Sequence, residues 1–147
     1  VRKLSLIVPL STLIIMTVLL VIFALPTPKS KLEKAIAGAD RIVVVWYKVH
    51  GTPTKKDVFT LTDKNQIARF LDCLEFDGTS NVESKVFLDA YHFKIFKGEE
   101  LLADLLCDPT RMRWDGGEWE GCAVLAQGSR EALLEWLKDN GWELPAD

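Results

Sequence analysis

From Leu4 to Leu25 the chain carries no charged residue, and Arg2 and Lys3 stand directly before that run. A helix needs about 20 apolar residues to cross the hydrocarbon core of a bilayer. The run therefore predicts a single-pass transmembrane anchor, or uncleaved signal sequence, over residues 1–25, and it places the rest of the chain at a membrane surface. A cleaved signal peptide is the competing reading. It requires an apolar region of about 7 to 15 residues that closes on a small-residue site. The best such site, Ile22-Phe23-Ala24, is poor, and Leu25-Pro26 follows it at once. Pro9 lies inside the run, where membrane helices tolerate it. A buried helix of a soluble domain would keep a polar side.

Orientation rests on the flanks. Arg2 and Lys3 precede the run; Lys29, Lys31, Lys34 and Arg41 follow it, with only Glu33 and Asp40 among them. Counting Lys and Arg alone does not favour a cytoplasmic head. The short head before a long apolar run nevertheless has the form of an uncleaved signal sequence, so the expectation is a single-pass protein of a bacterial inner membrane with its domain on the extracytoplasmic side.

Residues 26–30 read as a short stiff linker through Pro26-Thr27-Pro28-Lys29, and residues 31–147 suffice for one domain with a core of its own. Only three of the 18 basic residues precede residue 31, which leaves the domain 15 against 21 acids and a formal charge of −6. Nucleic acid is excluded as a partner on that balance, since phosphate binding needs a basic face. Electrostatic adhesion to an anionic lipid surface is disfavoured for the same reason.

Periodicity then divides the domain. Ser30 with Glu33 fits a capping box for a first helix carrying Leu32, Ala35, Ile36 and Ala39. Ile42 to Tyr47 is a β-branched and aromatic run, apolar on both faces, as a central strand is. A loop over residues 50–56 leads to a second strand, Val58 to Thr62, with Phe59 and Leu61 on one face. Asp63 caps a second helix, with Gln66 as its box partner and an apolar stripe of Ile67, Phe70, Leu71 and Leu74. Asp77-Gly78-Thr79-Ser80-Asn81 reads as loop. A long strand from Val86 to Phe96, the turn Lys97-Gly98-Glu99 and a return from Leu101 to Cys107 make a hairpin. Arg111 to Trp114 is a further strand, and Trp119 to Leu125 returns from the Asp115-Gly116-Gly117 turn. Ser129 caps a last helix, which ends in a Schellman motif at Gly141 and Trp142. The resulting fold class is α+β: an N-terminal transmembrane helix, then an antiparallel sheet packed with about three helices.

The chemistry is sparse. His50 and His92 are the two histidines, and Cys73, Cys107 and Cys122 the three cysteines. A thiol nucleophile on Cys107 or Cys122 with His92 as base is the nearest catalytic arrangement, but no local signature surrounds either cysteine. No C-x-x-C or H-x-x-x-H pairing suggests a metal, Asp115 to Glu118 lacks the ligand spacing of a calcium loop, and no cofactor motif is present. In an oxidising compartment, three cysteines suggest one pair and one leftover. A bridge from Cys107 to Cys122 would close a loop of about 15 residues and contribute about 3 kcal/mol; three reduced thiols are the alternative. Arg111, Arg113, Trp114 and Trp119 cluster around one turn, a composition typical of recognition hot spots; tryptophans that merely cover the end of the sheet are the other reading.

Several of these strings occur together in one group of proteins. Ala39-Asp40-Arg41-Ile42, Phe59 to Asp63 with Ile67 and Leu71, Arg113-Trp114, and Trp119-x-Gly121-x-Ala123-x-Leu125 resemble a pattern in small uncharacterised bacterial membrane-anchored α+β proteins, over most of residues 32–140. Some of those carry cysteine and histidine where this chain has Cys107-Asp108-Pro109-Thr110, which lowers any metal or catalytic reading here. The resemblance implies the fold and brings no activity with it. The functional expectation is a membrane-tethered, non-catalytic domain that binds a protein or peptide at the bacterial envelope. An acidic inhibitor or immunity-type protein that neutralises a basic toxin or enzyme is the alternative, and a small hydrolase ranks third.

Overall fold

A computed structural model of the chain describes residues 25–47, 58–80, 90–108 and 110–142, together with Ile14, Ile15 and Thr17. The described residues form an α+β fold: seven strands in one antiparallel sheet and three helices. In chain order these are α1 (Pro28–Ala35), β1 (Arg41–Tyr47), β2 (Val58–Leu61), α2 (Lys64–Asp72), β3 (Phe76–Ser80), β4 (Ala90–Lys97), β5 (Glu100–Cys107), β6 (Arg111–Trp114), β7 (Cys122–Leu125) and α3 (Ser129–Asp139). The predicted membrane span falls almost wholly outside the described residues. Among those described, no helix is long and apolar enough to cross a membrane.

Across the sheet the strands run β2-β1-β4-β5-β6-β7-β3. The β4–β5 and β6–β7 neighbours are the hairpins the turn residues predict, and Gly98 supplies the positive φ of the first turn. β1 lies between β2 and β4, an interior strand as predicted. α2 carries the chain from the β2 edge to the opposite edge, where β3 pairs with β7. That strand is absent from the sequence reading, because Asp-Gly-Thr-Ser has the composition of a turn. It forms because an edge strand needs a partner on one side only, and a bulge between Phe76 and Gly78 accommodates Gly78 at φ +129°.

All three helices lie on one face. Leu32 and Ile36 of the α1 segment, Ile67, Phe70 and Leu74 of the α2 segment, and Leu133, Trp136 and Leu137 of α3 share one cluster with Ile42, Val44, Phe93, Ile95, Leu105 and Met112 from the strands. Phe70 sits at its centre, 5.2 Å from Phe93 and 5.3 Å from Trp136 between ring centroids. Burying such side chains contributes about 1.5–3 kcal/mol each.

The helix ends differ from expectation in instructive ways. α1 is capped by Thr27, whose hydroxyl accepts from the Ser30 amide at 3.1 Å, and Pro28 occupies its first turn. Ser30 is therefore helical, and the expected linker shrinks to Pro26 and Thr27; proline at the first helical position is favourable because its missing N–H would be unpaired there. Asp63 caps α2 as predicted, accepting from Asn65 and Gln66. Gln66 does not close the box: its side-chain oxygen accepts from Arg69 and Asn140 instead. Ser129 does not cap α3 either; Gly128, at φ +90°, holds that position. The Ser129 hydroxyl instead accepts from the Glu75 amide at 2.9 Å and donates to the Glu75 carbonyl at 3.2 Å. The Schellman motif forms as predicted: Trp142 N–H donates to the Leu137 carbonyl and Gly141 N–H to that of Lys138, with Gly141 at φ +85°.

Candidate functional site

With the helices on one side, the second face of the sheet carries the polar alternates of the central strands. β6 makes the division plain. Met112 and Trp114 point into the core, so Arg111 and Arg113 point to the other face. Register then lines up neighbours across strands. Arg113 stands opposite Leu106 on β5 and Cys122 on β7, and Leu106 stands opposite His92 on β4; Lys94 stands opposite Asp104. Among the described residues, no helix covers this face.

Ion pairs and one close His–Asp contact order the face. Arg111 Nη2 donates to Asp108 Oδ2 at 3.0 Å, and Asp108 Oδ1 also accepts from the Thr110 and Arg111 amides. Arg113 engages both oxygens of Asp115, at 2.6 and 3.3 Å. Such two-pronged pairing fixes the plane of the guanidinium group. His92 Nε2 lies 2.5 Å from Asp104 Oδ1, and Lys94 Nζ lies 3.9 Å from Asp104 Oδ2. The His92 and Asp104 side chains are 14% and 19% exposed, so water screens this pair less than a surface one. Burial holds His92 below its ordinary pKa; Asp104 pulls the other way, with the smaller effect.

The two tryptophans of the predicted binding cluster sit elsewhere. Trp114 and Trp119 are each 8% exposed and belong to the core, their rings edge to face at 5.6 Å. Trp119 precedes β7 rather than lying on it. It folds back so that its indole N–H donates to the Pro28 carbonyl at 3.0 Å. The cluster is thus divided by the sheet: Arg111 and Arg113 on the face without a described helix, Trp114 and Trp119 within the core.

The possible Cys107–Cys122 bridge is not formed, and all three cysteines are free. Cys107 pairs in register with Met112 and faces the helices, whereas Cys122 pairs with Arg113 and faces the other way. β6 lies between them, so their strands are about 9.5 Å apart, beyond the reach of a disulfide. The thiol–histidine arrangement fails on the same geometry. Cys107 is on the opposite face from His92, with its pKa pushed up to about 12 by burial. Cys122 shares the face of His92 but lies three strands away, about 14 Å. β1 and β5, which flank His92, carry no serine or threonine. Among the described residues no group of three His, Cys, Asp or Glu has the geometry to hold a metal. His50 lies outside the described residues. The arrangement suits recognition: fixed guanidinium groups, and a partly buried His92–Asp104 pair with Lys94 beside it, on one sheet face. The alternation of Arg111 and Arg113 with apolar neighbours was the one sequence signal for it; His92, Lys94 and Asp104 join only through strand register.

No protein-family model, no curated protein and no solved structure matches the chain.

Proposed function

We propose that this chain is a single-pass, membrane-tethered, non-catalytic domain that binds a protein or peptide at the bacterial envelope, with the domain on the extracytoplasmic side. One observation supports the tether beyond the length of the apolar run. Five large hydrophobic side chains are exposed among the described residues, and three of them, Ile14, Ile15 and Leu25, belong to that run. The domain core does not take them in, so they call for another apolar environment.

The binding reading is carried by the placement of Arg111 and Arg113. Both lie on the sheet face that no described helix covers, each held by its own aspartate, which lowers the entropy lost when a partner docks. Lys94, Arg111 and Arg113 are matched on this face by Asp104, Asp108 and Asp115. A face whose cations stand beside carboxylates suits a partner of mixed charge better than a basic toxin. The inhibitor reading therefore ranks second.

Two measurements test the proposal. A reporter fused after Asp147 that is active only outside the cytoplasm is expected to be active; activity only from a cytoplasmic reporter would reverse the orientation. Chemical crosslinking in envelopes is expected to join the chain to a protein that the Arg111→Gln/Arg113→Gln double variant joins far less. Equal crosslinking by both chains would remove this face as the docking surface.

A further inference from the structure

Three contacts clamp α1 to the rest of the domain. Lys29 Nζ pairs with Glu75 Oε1 at 2.5 Å, Lys31 Nζ donates to the Glu118 carbonyl at 3.2 Å, and the Trp119 indole donates to the Pro28 carbonyl at 3.0 Å. Only Pro26 and Thr27 separate α1 from Leu25, the last residue of the apolar run. The three steps from Leu25 to Pro28 span at most about 11 Å. With residues 4–25 in a bilayer, the part of the domain beside Pro26 lies at the headgroup layer.

A cleft opens at that point. It has a volume of about 260 Å³, and its lining includes Pro26, Lys31, Thr79, Trp119 and Glu120. Pockets for drug-sized ligands run from about 300 Å³ upward, so this one fits a smaller group. Its lining includes one residue of each charge, Lys31 and Glu120, beside Trp119. Lys31 uses one of its three donors on the Glu118 carbonyl, and the others remain suited to a phosphate. Glu120 suits an ammonium that can donate N–H bonds.

We infer that this cleft holds a lipid headgroup of the membrane that anchors the chain, of the phosphoethanolamine type. The inference rests on the tether proposed above. A phosphate at Lys31 and a primary ammonium at Glu120 match both charges of such a headgroup. Phosphocholine offers no N–H to Glu120. A purely anionic headgroup leaves Glu120 opposed and meets a domain of formal charge −6. The consequence is a domain held in one attitude on the bilayer, with its β3 edge toward the lipid.

The test uses the full chain in lipid discs with a diazirine amino acid in place of Thr79. Discs contain phosphatidylcholine with either phosphatidylethanolamine or phosphatidylglycerol in equal parts, and mass spectrometry reads the adducts. Ethanolamine lipid is expected to be enriched about ten-fold over choline lipid, the equivalent of one surplus contact of ~1.4 kcal/mol. Glu120→Gln is expected to remove most of that enrichment, and Lys31→Met to lower the total yield of adducts. Adducts that follow bilayer composition, a preference for phosphatidylglycerol, or enrichment unchanged in Glu120→Gln each overturn the headgroup site and leave the tether standing. A chain that does not enter the discs overturns the tether and the site with it.

Discussion

Single residues in this chain do work that their type alone does not announce. A Cβ built on Gly117 falls 2.0 Å from the Trp114 ring, so the backbone there lies against the indole and only hydrogen fits. The sequence reading treats Gly117 as a turn residue; its closeness to Trp114 is a tertiary fact. Gly117→Ala is expected to lower stability by about 1–3 kcal/mol through overpacking. A urea midpoint unchanged from that of the parent chain would show that the ring can shift at no cost. His92 offers a second test. Burial lowers its pKa from the ordinary 6.5, against the opposing pull of Asp104. The unfolded chain then takes up a proton before the folded one does. The stabilising effect is full above the unfolded value and is lost as pH falls from there through the lower folded one. Between about pH 7 and pH 5.5, the urea midpoint of the parent chain is expected to drop more steeply than that of His92→Gln. Parallel profiles would rule out His92 as the cause.

Elements were legible where their signal is local. The apolar stripe of α2, the Asp63 cap, the Gly98 turn and the Schellman end of α3 all depend on residues within one or two turns of each other. Each was read correctly. β3 was not, because its stability comes from β7, some 40 residues away, rather than from its own composition. Ser129 misled for a related reason. A serine before an apolar helical run has the form of a cap, but its hydroxyl is engaged by both backbone groups of Glu75. It joins the start of α3 to the segment between α2 and β3, and is itself 4% exposed. Ser129→Ala removes two partners in a buried place and is expected to destabilise the domain by about 1–3 kcal/mol. A loss of only a few tenths, as for an ordinary helix position, would mean that the Glu75 groups find other partners. Hydrogen exchange at the Glu75 amide, faster in the variant, is the local readout.

At the scale of the whole molecule, the sheet order decides the chemistry. Because β6 separates Cys107 from Cys122 and their side chains leave opposite faces, the compartment of the domain does not change its pairing. Alkylation after unfolding without reductant is expected to label three thiols. In the folded chain Cys73, half-buried with its pKa raised by burial, is expected to react before Cys107, which is fully enclosed. A mass increase of one label only after unfolding, rising to three with reductant, would establish a disulfide and contradict this strand order. The candidate site follows the same logic. Arg111 and Arg113 were visible in the sequence, since alternation along a strand is a local property. Their separation from Trp114 and Trp119, and their joining to His92, Lys94 and Asp104, required the register of three strands. Taken by itself, the sequence determined the apolar run, the acidic balance, the α+β class, most helix and strand positions and which residues alternate. These follow from local sterics, periodicity and charge counting. Only the tertiary structure decided which strands are neighbours, that all three helices occupy one face, and hence which thiols and charges meet. Strand pairing is chosen by contacts between segments distant in sequence, and no short window of residues contains that information.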